Sequence, residues 1–246
     1  MIVQNMFSQI LDKRFKTLFN SNKEKETEFH RFSIIKEFLN KKNFNGFTSN
    51  DLFIMQFIKK GWGHDIAALS NMAEALVSLS IKNPTNLQYK YLMKEVVQRA
   101  VHPKVNPYKK KIDSIKYLGK YGYYLEHLNI ILGCYLRIVD DRYIRLNTKV
   151  SHHLLSCSMA KKDYHADLLP YVKMKWSADQ AAIIYSLWLF DQNNKTDLSF
   201  DLKKHWLSYM KRNCVHSKTG LFQTEVLGVK KYSKEPRGCS LSYLIH

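Results

Sequence analysis

The side chains best suited to acid–base chemistry lie where apolar helical segments are predicted to begin. They are Asp65, Glu126, His127 and Asp179. Carboxyl and imidazole groups transfer protons efficiently when their pKa lies near the working pH. Burial among apolar residues shifts a pKa in that direction for a carboxyl group. These four residues therefore predict a proton-transfer site, provided that the fold brings them together.

Each carboxylate also has an ordinary structural role to set against a catalytic one. Asp65 and Asp179 lie at the predicted starts of helices, where a carboxylate can cap free backbone N–H groups. Glu126 lies near the start of its helix, where the helix dipole favours a negative charge. The sequence leaves both roles open for these residues. His127 has many apolar neighbours, and we expect a functional role for it.

Aromatic residues beside these positions predict the walls of a ligand pocket. They are Trp62, Tyr123, Tyr124 and Trp176. Aromatic side chains commonly line pockets for apolar ligands and sugars. Arg237 lies between a proline and a glycine, and it is a candidate either for holding the ligand or for a salt bridge near the end of the chain.

Helical periodicity dominates the 246 residues, which contain only nine glycines and five prolines. This composition and pattern predict an all-α protein. The segment after Tyr124 is apolar on nearly every side and belongs in the interior of a larger helical assembly. The acids at 65, 126 and 179 recur after 61 and 53 residues, each followed by an apolar helix and an amphipathic return helix. Repeated αα-hairpins of this kind predict an (α/α) toroid, or an incomplete one.

The helical pattern changes character near residue 60. We predict amphipathic outer helices in residues 1–60 and the toroid hairpins in residues 61–246, which together form one continuous domain. The chain ends in the apolar stretch LSYLIH, residues 241–246, which resembles the start of another inner helix. The sequence therefore leaves two alternatives, an incomplete toroid or a protein that continues beyond His246.

The formal charge of +18 attracts acidic partners in general, but the lysines are spread over nearly every segment. A dedicated nucleic-acid surface would concentrate them with arginines and aromatics. We therefore expect a solvated lysine-rich surface and no specific nucleic-acid binding. No apolar run reaches the length of about 18 residues that a membrane span needs, and no secretory signal is evident at the start. These features predict a cytoplasmic protein without a transmembrane segment.

The remaining polar motifs favour structural roles. Four widely separated cysteines without CxxC spacing predict buried thiols and no metal site; Cys157 and Cys239 keep a chemical role as an alternative. The DDRY stretch, residues 140–143, reads as a capped turn at the far end of its helix. His152 and His153 lie on a return helix, away from the predicted site.

Several short stretches share a pattern with one enzyme family. They are GWGHD (61–65), YGYYLEHLN (121–129), DDRY (140–143), WSAD (176–179), TGLF (219–222) and PRGCSLSY (236–243). Together they resemble the linalool dehydratase/isomerase-like family of (α/α)-toroid enzymes. The resemblance implies a pocket for a small alcohol and acid–base dehydration or isomerisation without a cofactor. It assigns proton transfer or hydroxyl binding to Asp65, Tyr124 and His127.

Two other classes of function stay open. Paired carboxylates with aromatic walls also suit a carbohydrate-active toroid enzyme, a glycosidase or an epimerase. A helical-repeat protein that binds an acidic partner through its basic surface is the alternative to an enzyme, and it requires that Asp65, Glu126 and Asp179 do not converge. The enzyme hypotheses predict a small-molecule substrate, and a homo-oligomer is compatible with all three.

Overall fold

The computed structural model describes residues 29–30, 32–37, 39, 64–103, 105–167, 175–227 and 235–237. The chain divides into two compact units, Met1–Gly46 and Phe47–His246. In the first unit the described residues between 29 and 39 are helical, with Ile35 and Leu39 buried. The predicted boundary near residue 60 lies outside the described residues.

The second unit is built from helices in consecutive pairs. The pairs are α1 (His64–Lys82) with α2 (Gln88–Val101), α3 (Gly122–Ile138) with α4 (Ile144–Met159), and α5 (Ser177–Asn194) with α6 (Leu198–Asn213). A single 3-10 turn, Ile112–Ser114, lies in the segment before α3. Strand β1 (Lys175–Trp176) pairs antiparallel with β2 (Glu225–Leu227). This mostly helical content confirms the predicted all-α class.

The first two pairs place α1 parallel to α3. A short turn after Lys82 reverses the chain between α1 and α2. The Tyr124 hydroxyl, in the first turn of α3, donates to the carbonyl of Ala100 near the end of α2 at 3.0 Å. α2 and α3 therefore run in opposite directions, and α1 and α3 run in the same direction.

Helix α5 also runs parallel to α3. Asn129 Nδ2 on α3 donates to Ser186 Oγ on α5 at 3.0 Å. Closer to the C-terminal ends of both helices, Asn193 Nδ2 on α5 donates to the carbonyl of Gly133 on α3 at 2.8 Å. Both pairs advance in the same direction along the two helices. Helices α1, α3 and α5 thus form one layer with α3 in the middle, and α2, α4 and α6 pack against this layer as return helices.

The middle helix is the core of this unit. Every residue from Tyr124 to Tyr135 is buried. The sequence predicts such an interior helix, because leucine and isoleucine occur on all of its faces and a helix without a polar face cannot lie at a surface. At the far end of α3, the Tyr143 ring packs edge-on against Tyr135 with centroids 5.0 Å apart, and Asp140 Oδ1 accepts the Arg142 backbone N–H at 3.0 Å.

A glycine permits the close approach of α3 and α5. A Cβ atom at Gly133 would lie 3.2 Å from Leu189 Cβ on the facing helix. That distance is shorter than an ordinary carbon–carbon contact of about 3.5–4.0 Å. The missing side chain at this position therefore sets how near the two helices lie.

A buried network of polar side chains joins α3 to α4 and α5. Asn129 Nδ2 donates to Ser151 Oγ on α4 and to Ser186 Oγ on α5, each at 3.0 Å. Asn147 Nδ2 donates to Asn129 Oδ1 at 2.7 Å. All four side chains are fully buried. Only Asn147 Oδ1 among these polar atoms has no hydrogen-bond partner within the described residues. Because the other polar atoms satisfy one another away from water, the network fixes one rotation of α3 relative to α4 and α5.

The start of α3 differs from the sequence-based expectation. The pattern predicts residues 121–124 as a loop that leads into the helix, whereas the helix begins at Gly122. The Leu125 backbone N–H already donates to the Tyr121 carbonyl at 2.9 Å. Glu126 is therefore the fifth residue of α3, beyond the first turn, where the helix dipole stabilises a carboxylate only weakly.

Ring closure into a toroid stays a prediction. The described hairpins supply three parallel helices, α1, α3 and α5, and their return helices. Three hairpins alone do not show whether the helices close into a ring. In the part of the chain that the structure describes, no helix is both long and apolar enough to cross a membrane.

The Asn129 network gives a test of the core. We expect Asn129→Ala to lower the free energy of unfolding by about 2–4 kcal/mol. The substitution leaves the buried side chains of Asn147, Ser151 and Ser186 without one of their hydrogen-bond partners. Urea unfolding followed by circular dichroism measures the loss. The matched control is Asn213→Ala, whose side chain donates to Tyr209 on an exposed helix end and should cost less than about 0.5 kcal/mol. Equal losses for the two variants would contradict the proposed role of the network.

Candidate functional site

The structure brings Glu126, His127 and Asp179 together at the N-terminal ends of α3 and α5. His127 Nε2 lies 3.7 Å from Glu126 Oε1. The Asp179 carboxylate is close enough to Glu126 for its charge to act on that group. Asp65 belongs to the first turn of α1, but its side chain lies outside the described residues.

Glu126 is a fully buried carboxyl group without a hydrogen-bond partner among the described residues. Its exposed fraction is 0%, and the lack of a partner within the described residues holds for both carboxyl oxygens. Burial, reinforced by the negative charge of Asp179, raises the pKa of Glu126 well above its ordinary value. Burial therefore favours the protonated form of this carboxyl group. A buried polar group without partners lowers stability, and such groups occur most often at functional sites.

Asp179 is a buried carboxyl group that does not cap its helix. It is the third residue of α5, the N-cap position belongs to Trp176, and in the described part of the chain no side-chain hydrogen bond caps this end. Asp179 is 7% exposed, and burial raises its pKa to about 7. The capping role that the sequence leaves open is therefore absent.

The His127 ring contacts side chains of α1 and of its own helix, α3. Its Nδ1 atom lies 2.8 Å from Ser70 Oγ on α1. The ring of Tyr123, one turn earlier on α3, packs edge-on against the imidazole with centroids 4.9 Å apart. His127 is 4% exposed. These contacts hold the imidazole in one orientation beside Glu126.

A cavity of about 20 Å³ lies beside His127, between α1, α3 and α5. Its polar lining consists of Ser70, Asn71, Glu74, His127 and Tyr185. A volume of this order holds about one water molecule. Four of these residues, Ser70, Asn71, Glu74 and Tyr185, are absent from the set predicted from the sequence. A signal for α1 exists in the sequence, since Ser70, Asn71 and Glu74 form a polar stripe on a helix otherwise rich in alanine and leucine.

The predicted aromatic residues have different positions. Tyr123 lies against His127, whereas the Tyr124 hydroxyl binds the backbone of α2 and its ring is buried. Trp176 is 39% exposed and precedes α5. Arg237 is exposed. Trp62 lies outside the described residues.

A compact set of hydrogen bonds fixes the start of α5. His165 is fully buried and lies with Nε2 2.7 Å from the Trp176 carbonyl. Gln180, next to Asp179, accepts the Ala166 backbone N–H at 3.0 Å and donates to Ser158 Oγ at 3.1 Å. Burial lowers the pKa of His165 to about 4, although the carbonyls of Ala166 and Trp176, which lie against Nδ1 and Nε2, oppose this shift. These bonds position the helix turn that carries Asp179.

Cys157 and His153 face a separate groove of about 210 Å³ on α4. Cys157 Sγ lies 3.5 Å from His153 Nε2, which in turn lies 2.9 Å from the Gly119 carbonyl. That Nε2 must carry the hydrogen that the carbonyl accepts, so it cannot take a proton from the thiol. Burial, followed by the charge of Asp167, raises the pKa of Cys157. The arrangement does not generate a thiolate nucleophile. Cys239 lies outside the described residues.

No metal site accompanies the carboxyl groups in the described ranges. Within them, no group of three or more His, Cys, Asp or Glu side chains is arranged to hold a metal ion. The arrangement that is present supplies a proton donor in Glu126, a group that titrates near neutrality in Asp179, and an imidazole between α1 and Glu126.

The site predicts an unusual pH dependence of stability. The pKa of Asp179 is raised from 3.8 to about 7 by folding, so the folded protein binds the proton more tightly than the unfolded chain does. Ionised Asp179 therefore lowers the free energy of unfolding, and this loss of stability is absent below about pH 4 and complete above about pH 7. We expect Asp179→Asn to gain stability relative to the wild type as the pH rises across that window, by as much as about 4 kcal/mol. Chemical unfolding from pH 4 to pH 8 measures the difference.

Asp191, near the end of the same helix, is the matched control with the opposite sign. Although burial opposes it, hydrogen bonds from Ser199, Thr196 and Leu198 lower the pKa of Asp191. Its stabilising contribution is therefore present above the ordinary carboxyl pKa and lost as the pH falls through the lowered one. We expect Asp191→Asn to lose about 1–2 kcal/mol at pH 8 and less at low pH. The same trend for both variants would show that the two carboxyl environments do not differ as described.

The comparisons with known proteins add no family to this geometry. The sequence matches no protein-family model and no curated protein. The function of the site therefore has to be argued from its own residues.

Proposed function

We propose that this chain is an acid–base enzyme of the (α/α)-toroid type that dehydrates or isomerises a small alcohol without a cofactor. The observation that carries the proposal is the buried carboxyl group of Glu126, which has no hydrogen-bond partner among the described residues and lies beside a second buried carboxyl group and an imidazole. A structural carboxylate is normally paired or hydrogen-bonded when it is buried. Two carboxyl groups with raised pKa and an imidazole are typical of proton-transfer sites.

The helix arrangement supports the toroid part of the proposal. Helices α1, α3 and α5 run parallel, so their N-terminal ends lie on the same side of the layer. In an (α/α) toroid the inner helices form a ring, and side chains at one end of that ring share one pocket. Glu126, His127 and Asp179 all lie at this end. The ring itself and the participation of Asp65 belong to the proposal.

The dehydration step follows from the protonation states. In its protonated form, which burial favours, Glu126 donates its proton to the substrate hydroxyl, so that the C–O bond breaks and water leaves. Ionised Asp179 removes a proton from the adjacent carbon, and the electron pair of that C–H bond forms the C=C bond. Glu126 ends ionised and Asp179 protonated. Transfer of that proton back to Glu126, directly or through the released water, restores the starting state.

Isomerisation uses the same groups in sequence. Water re-adds to the alkene at a different carbon, with Asp179 donating its proton and Glu126 accepting one from the water. The edge of Tyr123 and the side chain of Ile130 supply apolar surface near the imidazole, which suits a hydrocarbon-like substrate better than a charged one.

Carbohydrate chemistry is the second candidate. One protonated carboxyl group beside one that titrates near pH 7 also matches the acid and base of a glycosidase. The alternative of a non-enzymatic binding protein requires dispersed acids. The electrostatic contact between Glu126 and Asp179 supports the enzyme hypotheses over it.

Turnover assays test the proposal directly. The purified protein is incubated with a panel of small tertiary and allylic alcohols, with alkene and rearranged alcohol measured by gas chromatography, and with chromogenic glycosides in parallel. We expect alcohol turnover by the wild type, and a loss of at least about 100-fold in Glu126→Gln and in Asp179→Asn, because each removes a proton donor or acceptor. Thermal unfolding of both variants should stay at or above that of the wild type.

The matched control is Asp201→Asn, an exposed carboxylate on α6, which should keep full activity. Turnover of glycosides alone would favour the second candidate. Full activity in Glu126→Gln and Asp179→Asn, or no turnover of either substrate class by the folded wild type, would contradict the assignment of this site.

A further inference from the structure

Helix α5 leaves one narrow stripe of its surface uncovered. Within residues 179–191, every side chain is buried except those of Ala181, Tyr185 and Trp188. Their spacing of four and three residues places them on one face of the helix, where they extend over about 10 Å of its axis. Trp188 is 41% exposed, whereas the leucines on either side of it in the chain are buried. The one open face of this helix is therefore apolar and largely aromatic.

The two aromatic rings of this stripe hold each other in place. The rings of Tyr185 and Trp188 stack with their centroids 5.7 Å apart and their planes 20° from parallel, a favoured arrangement for an aromatic pair. The Tyr185 hydroxyl also forms a hydrogen bond with Glu74 on α1. The pair therefore presents a flat apolar surface whose orientation is fixed from two sides.

Helix α1 presents a polar stripe opposite this aromatic one. Asn71, Glu74 and Ser78 recur at a spacing of three and four residues, and none of them is buried. Asn71 and Glu74 line the same cavity as Ala181 and Tyr185. The two stripes therefore lie on the same side of the helix layer and border one cleft, which we call the α1–α5 cleft.

The floor of the α1–α5 cleft belongs to α3. His127 and Ile130 line the cavity at its base, and each is 4% exposed. The apolar side chains of Ile130 and Ala181 adjoin the aromatic stripe on the side of the imidazole. A ligand that matches these surfaces has a polar group directed at α1 and His127 and a carbon skeleton that lies along α5.

We infer that the α1–α5 cleft binds the substrate of this site, and that Tyr185 and Trp188 determine its specificity by selecting an alcohol with an extended apolar carbon chain. A sugar would place hydroxyl groups against Ile130 and Ala181, where they would lose water without gaining a partner. The inference rests on the proposed function for the claim that the ligand is a substrate. Binding to the cleft is measurable without turnover.

A series of straight-chain primary alcohols tests the cleft directly. Isothermal titration calorimetry of the wild type with butanol, pentanol, hexanol, heptanol and octanol gives the dependence of affinity on chain length. We expect the affinity to rise roughly two- to fourfold with each added CH₂ group, because each buries more apolar surface against α5. The same affinity for all five alcohols, or tighter binding of methyl glucoside than of octanol, would overturn the inference.

Variants of Trp188 locate the far end of the cleft. We expect Trp188→Ala to weaken octanol binding roughly tenfold and butanol binding less than about twofold, because only the longer chain reaches this ring. Trp188→Phe keeps an aromatic face and should retain most of the affinity. The matched control is Phe200→Ala on α6, an aromatic side chain that is 50% exposed on a return helix and should leave both affinities unchanged.

Three results would contradict the assignment of Trp188. They are equal weakening of both alcohols in Trp188→Ala, no weakening of octanol binding, and the same loss in Phe200→Ala. Thermal unfolding followed by circular dichroism shows whether each variant is folded. Should Trp188→Ala fail to fold, the chain-length series in the wild type and in Trp188→Phe still decides the inference.

Turnover by the same variants separates this inference from the proposed function. For long-chain alcohols, we expect Trp188→Ala to raise KM roughly tenfold and to change kcat less than about threefold, because the ring contributes to binding and not to proton transfer. The expected binding pattern without turnover of any alcohol would refute the proposed function and leave the cleft as a binding site. Turnover without any dependence on chain length would do the reverse.

Discussion

The close packing of α3 against α5 is the constraint on which the rest of this unit depends. Gly133 allows the two helices to approach, because a Cβ atom at this position would lie only 3.2 Å from Leu189 Cβ. The Asn129 side-chain amide forms hydrogen bonds that connect α3 to α4 and to α5. At this spacing two carboxyl groups, Glu126 and Asp179, are buried close enough to interact. Neither would keep a raised pKa if water entered between the helices. The chemistry of the site is therefore a consequence of helix packing and not of any loop.

Much of the architecture can be predicted from the sequence because it depends on periodicity. The all-α class, the interior position of the helix after Tyr124 and the alternation of apolar and amphipathic helices follow from the spacing of apolar residues. The start of α3 is placed wrongly, since aromatic residues beside Gly122 suggest a loop while the hydrogen bond from Leu125 to Tyr121 begins a helix there. The short β1–β2 pair escapes prediction because two or three residues carry no periodic signal.

The site is predicted in part, for a physical reason. Glu126, His127 and Asp179 are conspicuous as polar residues within apolar segments, so sequence reasoning finds them. It cannot separate a capping role from a functional one, because that depends on whether backbone N–H groups point at the carboxylate. Ser70 and Tyr185 are missed altogether. Their importance comes from which helix faces which, and neighbours that are 57 residues apart along the chain, as Ser70 and His127 are, leave no local pattern.

The glycine between α3 and α5 has a consequence for how such a site would change over time. Gly133 lies two helical turns from Glu126, about 10 Å along the axis. A methyl group there would push α5 outward and alter the environment of both carboxyl groups without contacting either. The pKa values of the pair thus depend in part on a position that contacts neither carboxyl group. Substitutions where α3 packs against α5, at Gly133 or Leu189, could therefore raise or lower these pKa values during evolution while Glu126 and Asp179 stayed the same.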